Sequence, residues 1–349
     1  MAIFVLQRLM QTAVTLWALS LLLFLAIYAI GDPVAILIDP DAGPEEIAVA
    51  TRALGLDLPL WRQYLVFLGN IATGSTGTSF LYNQPAMDLV AQRLPATLEL
   101  ALVAFALTVV IAIPAGLWAG LRPNSWSGQA IMTGSIVAIS LPTFWFGLLL
   151  VLVFSVGLGW LPSGGRGPTA PVFGVELSVA TLDGWRHLLL PALTMAIYNV
   201  ALVARVVRAG VREALDQDFM RFAEAKGLSR RRIVFVHLLR SILVPIITVL
   251  GIELGQLIAL TIVIEMIFSW PGLGRLLIES VYRLDRPMVI AVLMTTVGLV
   301  IVINFVVDLL YGVLDPRIRL GGSSCARRLS GTPSLLNRVR LLVLHWWWS

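Results

Sequence analysis

Charge is scarce in this chain of 349 residues: only 13% are Asp, Glu, Lys or Arg, about half the share of an ordinary soluble domain. Lysine occurs once, at Lys226, cysteine once, at Cys325, and histidine at His187, His237 and His345 only. A lone cysteine excludes an internal disulfide and a cysteine-built metal site. The histidines lie too far apart for ligand spacing, so no metal and no other cofactor is expected. A phosphate cradle of the form G-x-x-x-x-G-K-[ST] needs a lysine after glycine, and Lys226 follows Ala225. The chain is therefore not expected to hydrolyse ATP itself. "GSTG" at Gly74–Gly77 lacks the strand–turn–helix setting of a nucleophile elbow, and no catalytic residue is expected.

Apolar residues fill the space that charge leaves. They make up 58% of the chain, and the mean hydropathy is +0.89. A bilayer core of about 30 Å asks for 18 or more apolar residues in one helix. Six runs meet that demand: Leu9–Ile30, Ala96–Leu121, Ile131–Leu158, Leu188–Val207, Ile242–Trp270 and Val289–Leu314. They are continuous, which excludes the alternating pattern of a membrane β-barrel. Pro114, Pro142, Pro191 and Pro245 interrupt them, as neighbouring helices in a membrane bundle permit. A cleaved signal peptide is the rival reading of the first run, but its core is too long and no small-residue site closes it.

Arginine and lysine set the expected orientation. With the amino terminus in the cytoplasm, the inner segments hold 17 of the 25 basic residues. The outer segment after the first span reads as two short helices. One starts at Pro44 and ends at Gly55; the other follows Pro59 and places Leu60, Tyr64, Phe67 and Leu68 on one face. A third short helix is expected from Pro85. Trp160 and Trp185 flank the next outer segment, as an interfacial aromatic belt would.

Ionisable residues at membrane depth are functional candidates by default. Here they are Glu99, Glu253, Glu265 and Asp308. Helical spacing places Glu253 with Gln256, and Asn304 with Asp308. These four residues read either as a polar pathway or as side chains paired inside the bundle. Glu99 and Glu265 are expected near the outer interface.

The densest charge sits in one inner loop. Arg221, Lys226, Arg230, Arg231, Arg232, His237 and Arg240 crowd the stretch "RFAEAKGLSRRRIVFVHLLR". A loop between two spans is a poor nucleic-acid site, and attraction to membrane lipid needs no particular order. This loop is ordered. "VREALDQDFMRFAEAK" is helix-forming with Val211, Leu215, Phe219, Phe222 and Ala223 on one side. Gly227 supplies a left-handed C-cap, and Ser229 an N-cap for a second short helix. Two helices joined at Gly227 read as a docking knob for another protein.

The same residues resemble a known family. "EALDQDFMRFAEAKGLSRRRIVFVHLLRSILVPIIT" is similar to the coupling loop of inner-membrane permease subunits of bacterial binding-protein-dependent ABC importers, in the branch for dipeptides, oligopeptides, nickel and glutathione. "FLYNQPAMDLVAQRLPATLELAL", "SLPTFWFGLLL" and "IEMIFSWPGLGRLLIESVYRLDRPMV" support the likeness, which runs from near Met1 to about Leu320. The resemblance implies an all-α polytopic membrane protein: six transmembrane helices of the type I ABC importer permease fold, with a helical extracytoplasmic segment after the first span. It implies a first span and outer segment at 1–95, a transmembrane domain at 96–314 with its coupling loop at 208–241, and a cytoplasmic tail at 315–349. It places the ATPase-coupling contact on Arg221, Ala223, Glu224, Ala225, Lys226, Gly227, Leu228, His237 and Arg240. Arg221 stands where the general importer motif has Glu, so an acidic contact at that point is not carried over.

The implied partners are a second homologous permease, two cytoplasmic ATPases and an extracytoplasmic substrate-binding protein. The implied function is one half of an ATP-driven import pathway for peptides or a related small substrate. A gradient-driven carrier using Glu253 and Asp308 is the alternative, although the unequal segments show no inverted repeat. The segment after Leu320, ending "HWWWS", is foreign to the family pattern. It reads either as an interfacial helix or as a stretch outside the fold.

Overall fold

The computed structural model describes residues 2–29, 43, 45, 51–52, 56–74 and 76–314. The side chain of Asp308, the tail 315–349 and most of the helix expected between Pro44 and Gly55 lie outside the described residues.

The described chain is almost wholly helical. Helix α1 (Ala2–Ala29) carries a 17-residue apolar stretch, Leu9–Leu25. Helix α2 (Leu60–Ala72) starts after Pro59, as expected, and folds back on α1. Tyr64 meets Ser20 through a 2.8 Å hydroxyl–hydroxyl hydrogen bond and packs edge-on against Phe24. Helix α3 (Ala86–Leu121) absorbs the short helix expected from Pro85 into the span itself.

The single span expected over Ile131–Leu158 is broken into two helices, α4 (Trp126–Ser140) and α5 (Thr143–Gly157). They meet at 109°. The break falls at Leu141, whose backbone is extended (φ −94°, ψ 136°) because Pro142 follows it. Pro114, Pro191 and Pro245 break nothing; each stays inside a continuous helix. A membrane bundle supplies other partners for the backbone groups a proline frees, so only the proline at a bend in the chain path becomes a break.

The segment that follows departs from an all-α fold. Strands β1 (Ala170–Val172) and β2 (Val175–Leu177) form an antiparallel hairpin with Val172 opposite Val175. Its two-residue turn, Phe173 and Gly174, has φ of +51° and +81°, the pattern of a type I′ turn. Five further helices complete the bundle: α6 (Leu182–Leu215), α7 (Asp218–Ala225), α8 (Arg230–Ile267), and the pair α9 (Leu273–Tyr282) and α10 (Arg286–Leu314).

Among the described residues, α3, α6, α8 and α10 are each long and apolar enough to cross a membrane, and the bent α4–α5 pair makes a fifth span if counted as one. Helix α6 is the centre, with α3, α4, α5 and α8 packed on it. Two apolar clusters stack along it. One joins Ala112 of α3, Val203 to Val211 of α6 and Ile242 to Leu250 of α8. The other joins Ala96 to Ala104, Leu188 to Met195 and Leu257 to Trp270. A third fastens the start of α3 to α9 and α10.

Candidate functional site

The basic loop is a built structure, and its order begins with a break. Helix formation through "VREALDQDFMRFAEAK" stops at Leu215; Gln217 is extended (ψ 149°), and α7 restarts at Asp218. That restart changes which residues face inward. Met220 and Ala223 are buried at 1% and 5%, in the cluster shared with α6 and α8. Phe219 and Phe222, expected on the apolar side, are 38% and 62% exposed instead. The expected face assumed one uninterrupted helix, and two turn residues rotate everything after them.

The end of α7 is closed by its backbone. Gly227 N–H donates to Glu224 O at 2.9 Å, and Leu228 N–H donates to Ala223 O at 3.4 Å. Those two bonds make a Schellman cap, which needs a left-handed residue between them. Gly227 has φ +68° and supplies it. No atom lies within 4 Å of where its Cβ would stand, so conformation, and not space, selects glycine here. Leu228 packs back into the cluster that holds Ala223.

Ser229 precedes α8 in extended conformation (ψ 144°) but makes no side-chain cap. The second short helix expected after it is the first part of α8, which runs on unbroken into the membrane. Residues Ile233–Leu238 widen into π-helical turns, with Ile233 and Leu238 buried, His237 half-buried, and Phe235 and Val236 exposed. Such widened turns are common at functional sites.

The outward surface is therefore aromatic and charged together. Arg221, Glu224, Ala225 and Lys226 are exposed on α7, as is Arg240 on α8. Lys226 Nζ stands 4.5 Å from the centre of the Phe222 ring. Phe222 and Phe235 are thus exposed on a structure anchored from below by Met220 and Ala223. Met220 was missed by sequence reasoning; its three-residue spacing from Ala223 was the available signal. The exposure of Phe222 and Phe235 had no signal at all.

The acids within the spans behave differently from one another. Glu99 is held by Arg166, whose Nη2 and Nε donate to it at 2.8 and 3.2 Å, and by Val179 N–H at 2.8 Å. Glu265 is fully buried and accepts from Thr97 Oγ1 at 2.7 Å and Arg275 N–H at 3.1 Å. Trp270 Nε1 donates to Ala96 O at 2.9 Å beside it. A Cβ at Gly272 would overlap the Glu265 carboxylate, so this glycine makes room for it. Glu99 ties α3 to the segment around the hairpin, and Glu265 ties the end of α8 to α3 and to the start of α9.

Glu253 is buried at 5%, and its Oε2 finds no partner among the described residues. Gln256, expected beside it, is exposed. Thr108, Asn199 and Glu253 each fall, on their own helices, between the residues of the two stacked clusters. Asn304 of α10 is exposed on balance, but its Oδ1 points at Gly255, 2.8 Å from where a Cβ would be.

The ordered loop is packed onto two spans, α6 and α8. Comparison with known proteins places the chain in a family. Residues 112–320 match the binding-protein-dependent transport system inner membrane component, and residues 1–101 match the N-terminal part of membrane components of the same systems. The chain belongs to this permease family. It is 39% identical over 330 residues to the di/tripeptide transport system permease protein DppB of Pseudomonas aeruginosa, covering 90% of this chain and 98% of that one. To the oligopeptide permease AppB of Bacillus subtilis it is 36% identical over 320 residues, with 91% and 99% covered. To the glutathione permease GsiC of Escherichia coli K12 it is 37% identical over 317 residues, with 90% and 98% covered.

The inward-facing MetNI methionine ABC transporter shares the fold: a TM-score of 0.51 at 19% identity, over 66% of this permease and 97% of that chain. The permease is thus a helical, multi-pass inner-membrane component of an importer. Its gradient-driven reading through Glu253 and Asp308 finds no support in these relatives.

Proposed function

We propose that this permease forms one half of an ATP-driven import pathway for peptides or a closely related small substrate, with the surface around Gly227 as its ATPase contact. The observation that carries the reading is the pairing of exposed Phe222 and Phe235 with buried Met220 and Ala223. The first pair offers a partner something to grip. The second pair ties the grip to α6 and α8 through one packed cluster.

Packed side chains transmit displacement because the interior is dense and cannot deform locally. A partner that moves α7 would therefore move the ends of two spans with it. In this reading a second homologous permease completes the pathway, and two ATPases bind on the cytoplasmic side. ATP binding draws the ATPases together, and the knobs carry that closure into the spans. An extracytoplasmic binding protein delivers the cargo. The amino terminus lies in the cytoplasm, α1 crosses as the first of six spans, and α4 with α5 forms one bent span. Peptide as cargo rests on the named relatives, which transport di/tripeptides and oligopeptides in two cases and glutathione in a third.

A pull-down from detergent tests the reading, with wild type beside Gly227→Arg as bait and ATPase subunits as the readout. Recovery by wild type alone supports the contact. Equal recovery by the variant, or none by well-folded wild type, removes it.

A further inference from the structure

A second basic feature lies outside the knob. Arg205, Arg208 and Arg212 are spaced three and four residues apart near the end of α6, so they form one stripe on its surface. Together with Ala209, and with Met132 and Ile136 of α4, they line an open groove of about 340 Å³. Arg205 and Arg212 are exposed, and Arg208 is half-buried. The Nε–H of Arg208 is buried and has no acceptor among the described residues. No carboxylate pairs with any of the three among the described residues.

Depth decides what this stripe meets. Trp185 marks the other end of the same helix, where it is 40% exposed. Arg205 comes 20 residues later, or about 30 Å at 1.5 Å per residue, which is the thickness of a bilayer's hydrocarbon core. Arg205 and Arg208 therefore reach the phosphate layer at the end of α6 nearest α7, and Arg212 reaches its watery edge. Trp126, at the start of α4, is 85% exposed and marks an interface in its turn. Met132 and Ile136, one helical turn apart, give the groove an apolar wall.

Guanidinium groups present planar pairs of donors that match a phosphate. We propose that the groove between α4 and α6 binds an anionic phospholipid. Its phosphate sits on Arg205, Arg208 and Arg212, and the start of an acyl chain lies along Met132 and Ile136. Free phosphate, or the carboxylate of a cargo peptide, would satisfy the same donors but leave the apolar wall uncovered. The diffuse attraction of basic residues to a membrane surface needs neither a groove nor a buried, unmatched N–H.

Native mass spectrometry of the full chain in neutral detergent tests the site, with phosphatidylglycerol or phosphatidylcholine as the added lipid. Wild type is expected to retain one phosphatidylglycerol and little phosphatidylcholine. The triple variant Arg205→Gln/Arg208→Gln/Arg212→Gln is expected to hold phosphatidylglycerol about a hundredfold more weakly. Arg230→Gln/Arg231→Gln/Arg232→Gln removes equal charge outside the groove and should retain it. Equal retention by wild type and the groove variant overturns the proposal. So does displacement of the lipid by millimolar inorganic phosphate, which would assign the site to free oxyanions. Should the triple variant fail to fold by circular dichroism, Ile136→Trp fills the groove with its charge intact; undiminished retention there overturns the proposal equally. No readout involves an ATPase or a cargo, so failure here is separable from failure of the docking surface.

Discussion

Gly227 offers a test in which backbone and side-chain effects part. It holds φ +68° with open space around its Cβ position. A left-handed L-residue costs about 1–2 kcal/mol, and no steric term adds to it. Replacement by Ala and by Arg should therefore weaken the cap by the same amount. Asn, which tolerates this region, should weaken it less, and β-branched Val more. The cap is reported by the amides of residues 227 and 228, which donate to Glu224 and Ala223. Hydrogen exchange at those amides should accelerate about 5- to 30-fold in Gly227→Ala. Gly227→Arg should match it, while amides within α6 stay unchanged. An Arg variant far worse than Ala would mean that bulk or charge matters there, and would refute the conformational argument. Unchanged exchange in both would show that no left-handed cap exists at this position.

Other positions separate anchoring from contact. Met220→Ala removes a side chain that is 1% exposed and should destabilise the permease by about 2–5 kcal/mol in chemical unfolding. Phe222→Ala, at 62% exposed, should change stability by less than about 0.5 kcal/mol yet lower ATPase recovery in the pull-down. Glu99→Gln leaves Arg166 facing a neutral amide and should cost about 3–5 kcal/mol; adding Arg166→Gln should restore part of that loss in thermal melts. Gly272→Ala places a methyl against the buried Glu265 carboxylate. It should lower the melting temperature clearly, whereas Gly298→Ala, in open space on α10, should not.

Much of the bundle was legible because hydrophobicity over 20 residues is a long, redundant signal. The spans of α3, α6, α8 and α10 fall where the apolar runs lie. The left-handed role of Gly227 was legible too, since a glycine after "FAEAK" has few other uses. What failed were judgements resting on one or two residues. Four prolines look alike as symbols, yet only Pro142 ends a helix, because neighbouring helices decide whether a lost hydrogen bond matters. Asp216 and Gln217 look helix-compatible, yet the chain turns there, and Phe222 faces outward where Met220 was needed within. Glu253 and Gln256 share a spacing but not an environment: one is buried and the other exposed.

The amino-acid sequence by itself determined the membrane class, the place of the ordered basic loop and the family. Each of these follows from composition or from motifs local in the chain. Only the tertiary structure decided which face of α7 is buried, where the third apolar run bends, and that Arg166 reaches Glu99 across 67 positions. It alone decided that Arg205, Arg208 and Arg212 share a groove with α4. Burial and pairing depend on which helices become neighbours, and that choice is made by the whole bundle at once, not by any segment within it.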